Sequence, residues 1–176
     1  MAAAAGVVTS VIYMQLRYKK IDVTMALNGA LAGLVAITAE PLTPSVPSAM
    51  LIGGVGSLLA MLTVPLLDKL KIDDVVGAIP VHLVAGIFGT LAVAFNTRHE
   101  ITNEAGEVTR TYTFIEQFGV QGLGVLSTAV FVCIASAIIW GIMKKTIGIR
   151  VSEQVELDGL DVHEVGVAAY PEFVQS

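Results

Sequence analysis

The stretch "KIDDVVGAIPVHLVAGIFGTLAVAF", Lys71–Phe95, decides how the rest of the chain is read. From Val75 to Phe95 it is almost wholly apolar, long enough as a helix to cross ~30 Å of hydrocarbon, yet one ionisable side chain, His82, sits in its middle. Ionisable groups at membrane depth usually face a bundle interior or a pathway. Asp73 and Asp74 precede the run and Pro80 lies two residues before the histidine. Asp74 is placed to accept from the first free amides of a helix, where acid also suits the dipole. Pro80 removes one backbone donor and is expected to bend the helix just ahead of His82.

The same character extends outward. Of 176 residues, 55% are hydrophobic and only 14% charged, with a mean hydropathy of +0.77, and soluble domains carry far more charge than this. The expected class is an all-α integral membrane protein. Five apolar segments can be marked off, at about residues 2–16, 21–39, 48–67, 74–95 and 114–143, followed by a polar tail over 151–176. The net charge of -5 says little about partners, because much of the acid lies in that tail. No basic patch points to nucleic acid. The single cysteine, Cys133, excludes an intrachain disulfide framework and a CxxC metal site and reads as a small packing residue.

If all five segments cross, the connections alternate sides. One side then collects Arg17, Lys19, Lys20, Lys69, Lys71, Lys144, Lys145 and Arg150, and the other only Arg98 and Arg110. The positive-inside rule puts the first set, and the C-terminus, in the cytoplasm of a multi-pass cell-membrane protein. The first segment has its basic residues after the apolar stretch, the reverse of a secretory signal, and reads as a span that has lost its beginning. Small residues recur in "GALAG", "GGVG", "GIFGT" and "GVQGLG", which predicts helices packed closely on other helices.

His82 admits two readings. A packing histidine would donate one hydrogen bond to a neighbouring helix and do nothing more. A pathway histidine in a dry site would stay neutral, since desolvation penalises the imidazolium, and would offer one donor and one acceptor nitrogen to a small polar molecule. His99 lies in a polar loop and is expected to be solvated, while Trp140 suits the interfacial belt. No phosphate loop, Ser/His/Asp set or paired carboxylates stand out, and His82 has no second ligand or base in these spans, so enzymatic chemistry and a metal or cofactor site have no foothold.

The run "DDVVGAIPVHLVAGIFGTL" resembles the signature of the ammonium transporter family, which includes the methylammonium permeases and Rhesus proteins. "LNGALAGLVAITAEPLTPS" resembles the helix and loop two spans earlier, and "GIRVSEQVELDGLDVHEVGVAAYPE" the family's cytoplasmic C-terminal segment. These matches run in order over nearly the whole chain. The resemblance implies the C-terminal half of an eleven-helix transporter that assembles as a homotrimer with a pore through each subunit. It makes His82 the second of two pore histidines and Asp74 the acidic position at the start of that helix. The family recruits ammonium at an outer vestibule, passes it as ammonia beside the histidine pair and reprotonates it inside. The first pore histidine, the aromatic gate and the recruitment aromatics belong to the preceding half.

The tail departs from the family pattern. Gly159, Leu160 and Asp161 match, but "EVGVAAY" carries Val165 and Val167, and His163 falls two places early, so it is not the family histidine. The family tail packs on the cytoplasmic face and answers PII-type signal proteins. Here the tail is expected to pack through Leu160, Val162 and Tyr170. The leading expectation is ammonium or ammonia transport, and the rival is a non-conducting remnant or sensor-like subunit of the same family.

Overall fold

The computed structural model describes residues 1–42 and 44–169. It divides into two compact units, Met1–Ser127 and Thr128–Ser176, the division falling within one long helix. Among the described residues, helices overlie the five apolar segments: α1 (Ala2–Tyr18), α2 (Val23–Ile37), α3 (Val46–Leu70), α4 (Ala85–Asn96, entered through a π-helical turn, Ile79–Val84) and α5 (Phe114–Thr146). Three stretches are individually long and apolar enough to cross a membrane: α3, the continuous run Ile79–Asn96, and α5. The other two, α1 at 17 residues and α2 at 15, are shorter.

Side-chain caps set several of the boundaries. Asp22 accepts from the amide of Met25 at the start of α2, and Ser45 from that of Ser48 at the start of α3. Thr113 and Glu116 form a reciprocal capping box at the start of α5, each side chain accepting from the other's backbone amide. The polar stretch before α5 carries an element that apolar patterning does not reveal. Strands β1 (Glu100–Thr102) and β2 (Val108–Thr111) pair antiparallel, with Ile101 opposite Arg110 and a bulge after Ile101. Asn103 ties the turn by accepting from Ala105 and Glu107, and Gly106 takes the positive φ of 79° that the reversal needs.

In the first unit α1, α2 and α3 pack on one another, and the π turn and α4 lie against α2 and α3. The core is made of small and flexible side chains: Ala32, Ala36, Ala60 and Ala85 are fully enclosed or nearly so, with Met61 and Val81 among them. Close approach is enforced by glycine, as expected where helices have little hydrophobic drive to associate. A Cβ on Gly29 would overlap Ser10 and the Gly6 carbonyl, and one on Gly89 would overlap the Ala36 backbone. The hydroxyl of Ser57 donates to the Gly6 carbonyl at 2.8 Å, a buried bond from α3 to α1. The glycines of "GVQGLG" behave otherwise. A Cβ on Gly119, Gly122 or Gly124 would meet nothing within 4 Å, so the close packing expected there is not made among the described residues.

Apolar side chains dominate the outside. Leu66, Ile115, Leu123, Phe131 and Ile142 are all exposed, and the most apolar window of α5 has no buried residue. Such a surface belongs in hydrocarbon or against other helices. Trp140 and Cys133 are exposed on α5.

The second unit, beyond its share of α5, is built from short polar elements. Helix α6 (Glu153–Asp158) is capped by Ser152, and Arg150 grips Glu156 through two bonds of 2.6 and 2.8 Å. That pairing holds the Glu156 carboxyl below its usual range. A π turn follows at Asp161–Val165. Asp161 accepts from the amides of Ala169 and Val162, and these bonds, the Ala169 one foremost, hold its carboxyl low. Leu160 and Val162, expected as packing residues, are about half exposed, and Tyr170 lies outside the described residues.

Candidate functional site

The site is built around the chain's entry into the π turn and α4. Asp74 stands before the helix and reaches forward, its two carboxylate oxygens accepting from the amides of Ala78 and Ile79, each at 2.8 Å. It therefore acts as the expected acidic cap, although the helix begins at Ile79, five residues later than the expected start at 74. Between cap and helix the chain turns at Gly77, whose φ of 77° only glycine adopts freely.

Pro80 sits in the first turn of the helix, with less than 2% of its surface exposed. At the first turn a proline has no helical bond to break. The turn beyond it is π-helical: the Ala85 amide donates to the carbonyl of Pro80, five residues back, as well as to that of His82. The extra residue per turn moves His82 out of the register a plain α-helix would give it. Single π turns are frequent at functional sites.

One contact ties the entrance to the bundle across 48 residues of sequence. Asn28, on α2, is 9% exposed and donates through Nδ2 to the Val76 carbonyl at 2.9 Å. The fit is close enough that a Cβ on Gly77 would come within 2.8 Å of the same Nδ2 atom. A cleft of about 110 Å³ lies beside this joint, lined by Thr24, Asn28, Asp68, Asp74, Val76 and Pro80. Sequence reasoning passed over both Asn28 and Gly77. The available signal was an amide side chain in the apolar run "MALNGALAG", where an unpaired polar group is expensive.

His82 itself is exposed on the surface of this unit, and its ring makes no hydrogen bond among the described residues. Its neighbour Val81 is buried and Leu83 exposed, so the turn presents the imidazole and Leu83 outward together. The packing reading expected a bond from the ring to an adjacent helix, and no such bond is formed among the described residues. Of the other histidines, His99 is exposed beside the hairpin with its ring edge-on to Tyr112, and His163 lies 3.8 Å from Asp158. No group of three potential metal ligands occurs among the described residues.

The profile of the Ammonium Transporter Family matches residues 1–170, nearly the full chain. The chain belongs to the ammonium transporter family. It is 39% identical over 178 residues to the ammonium transporter Amt2 of Archaeoglobus fulgidus, covering 99% of this chain and 38% of the relative. It is 35% identical to the ammonium transporter Amt1 of Haloferax mediterranei, covering 97% of this chain and 31% of the relative. Among solved structures it superposes on one described as a sensor Amt protein with a TM-score of 0.80 and 34% identity, over 93% of this chain and 39% of that one. Candida albicans Mep2 superposes with a TM-score of 0.74 and 26% identity, over 99% and 41%. The chain therefore spans between about a third and two fifths of the length of these relatives. Family and fold agree on a multi-pass membrane protein, and His82, exposed on its π turn, falls within the matched region.

Proposed function

We propose that this chain supplies one wall of an ammonium-conducting path through the cell membrane, with His82 as the residue that meets the permeating molecule. The observation that carries the proposal is the exposed imidazole on a π turn held by Asp74 and Asn28, within a chain of this family. A bare ring at membrane depth is costly unless something polar passes or pairs with it. In the assembled transporter the facing wall comes from helices outside this chain. The ring nitrogens offer hydrogen bonds to ammonia, and discriminate by hydrogen bonding where a fixed charge would trap the cation.

The orientation follows from the basic residues: the segments 17–20 and 68–73 and the tail from 151 are cytoplasmic, and the hairpin before α5 is outside. The tail is a cytoplasmic regulatory segment, a surface for a PII-type signal protein in a homotrimeric assembly. Uptake of labelled methylammonium by the assembled protein in proteoliposomes tests the reading; absence of uptake by folded protein overturns it. The likeness to a sensor Amt protein favours a second reading, in which ammonium binds and alters the tail without net flux. That reading predicts no uptake together with an ammonium-dependent change in tail labelling.

A further inference from the structure

We infer that the cytoplasmic end of α1, α2 and α3 forms a seat for an anionic phospholipid, with an acyl chain in a cleft between the helices and the headgroup phosphate at Lys20 and Arg17. The cleft, of about 270 Å³, draws on all three helices. Met14 and Met61, 2% and 1% exposed, form its deep wall, and Val64 and Pro65 of α3 flank it. Methionine is flexible and adapts to partners of varied shape. Where such a cleft faces hydrocarbon it takes up an alkyl chain, since its walls otherwise lose their dispersion contacts. That apolar contact alone selects no particular lipid.

Selection comes from the polar end of the cleft, where Lys20 and Asp22 line it from the short connection between α1 and α2. The helix α1 stops at Lys19, whose φ of 59° turns the backbone, and Lys20 follows directly. Tyr18, also in the lining, holds the Arg17 guanidinium 5.6 Å from its ring centroid, and Tyr13 meets Tyr18 edge to face at 6.2 Å. Arg17, Tyr18, Lys19 and Lys20 are all exposed. The acid among them, Asp22, is committed to the start of α2, where it accepts from the Met25 amide at 3.0 Å. Three cations beside one committed carboxylate favour an anion, and tyrosines above an apolar cleft suit the level where headgroup meets acyl chain. The cytoplasmic leaflet supplies anionic headgroups, and each basic residue near its surface is worth about fivefold in binding. The choice of leaflet rests on the orientation proposed from the basic residues; the cleft and its charge do not.

The test places the assembled protein in nanodiscs of equal phosphatidylglycerol and phosphatidylcholine, for wild type, Lys20→Gln, Lys69→Gln and Val64→Phe. Lys69 sits in the last turn of α3 and does not line the cleft. Native mass spectrometry counts retained lipid, and phosphatidylglycerol carrying a diazirine on its acyl chain maps the contact. The expected result is preferential retention of phosphatidylglycerol, with cross-links on the peptides that hold Met14 or residues 61–65. Lys20→Gln should lower retention about fivefold. Lys69→Gln, a screened charge away from the cleft, should lower it by no more than about twofold. Val64→Phe fills the cleft without altering charge and should remove the cross-links. Equal retention of both lipids, equal effects of the two lysine variants, or undiminished cross-linking in folded Val64→Phe overturns the inference. Should Val64→Phe fail to fold, the wild-type map decides. Cross-links confined to other segments, as when a helix from outside this chain fills the cleft, reject the proposal. Neither readout measures transport, so failure here leaves the reading of His82 standing, and failure of that reading leaves lipid retention unmoved.

Discussion

Replacing Asp74 by alanine removes two hydrogen bonds of 2.8 Å that hold the entrance to the π turn. A charged acceptor makes such bonds worth more than neutral ones, ~1.5–3 kcal/mol each when enclosed. The bond to the Ala78 amide is exposed and the one to Ile79 part-buried, so water replaces much of the first and less of the second. Counting about 1 kcal/mol for the exposed bond and about 1.5 for the other gives roughly 2.5 kcal/mol, slightly above the usual loss of an N-cap. Asp74→Asn keeps one oxygen and should lose about half of that. Reversible unfolding in mixed micelles, followed by helical circular dichroism, reads the global cost. Amide exchange at Ala78 and Ile79 reads the local one. A loss for Asp74→Ala below about 0.5 kcal/mol, or unchanged exchange at both amides, would refute the view that this carboxylate fastens the turn carrying His82.

Gly89→Ala should destabilise the α2–α4 contact by about 1–3 kcal/mol, because the added methyl overlaps the Ala36 backbone and the core can only respond by moving a helix; the same unfolding measurement checks it. In the tail, Asp161 has its carboxyl held low by the Ala169 and Val162 amides, so its contribution to the turn is present above the ordinary aspartate value of 3.8 and is lost as pH falls through the lower folded value. The Ala169 amide chemical shift should therefore report the turn intact at neutral pH and released only in strong acid, and Asp161→Asn should show the released shift throughout. A cysteine at Glu107, in the turn of the hairpin, should be labelled by impermeant reagents from outside intact cells, and labelling only from the cytoplasm would invert the orientation proposed from the basic residues.

How much the sequence reveals depends on how each feature is encoded. Apolar segments are visible in any window, and helices overlie all five, four with ends within about three residues of those expected and the fourth starting five residues later. The acid at 74 was readable as a cap because its role is local, reaching only the next four or five residues. The hairpin between α4 and α5 escaped because its strands are short and exposed and have no apolar alternation, although "NEAG" and the capping box "TFIE" were both present as turn and helix-start signals. The π turn escaped for a deeper reason. Nothing in the local pattern of "GAIPVHLV" announces it, nor says that the Val76 carbonyl before it will be satisfied from 48 residues away. Likewise the glycines of "GALAG" and of "GVQGLG" look alike in sequence, yet among the described residues only the first meet a neighbouring backbone.

The central claim is that His82 selects by chemistry along a conduction path, and it is tested most directly by methylammonium uptake and potassium leak for His82→Ala in the assembled protein, each normalised to folded protein in the membrane. The account predicts that His82→Ala loses discrimination against potassium by about tenfold or more, the weight of one ~1.4 kcal/mol contact. Selectivity equal to wild type in folded His82→Ala, with only the yield reduced, would contradict it.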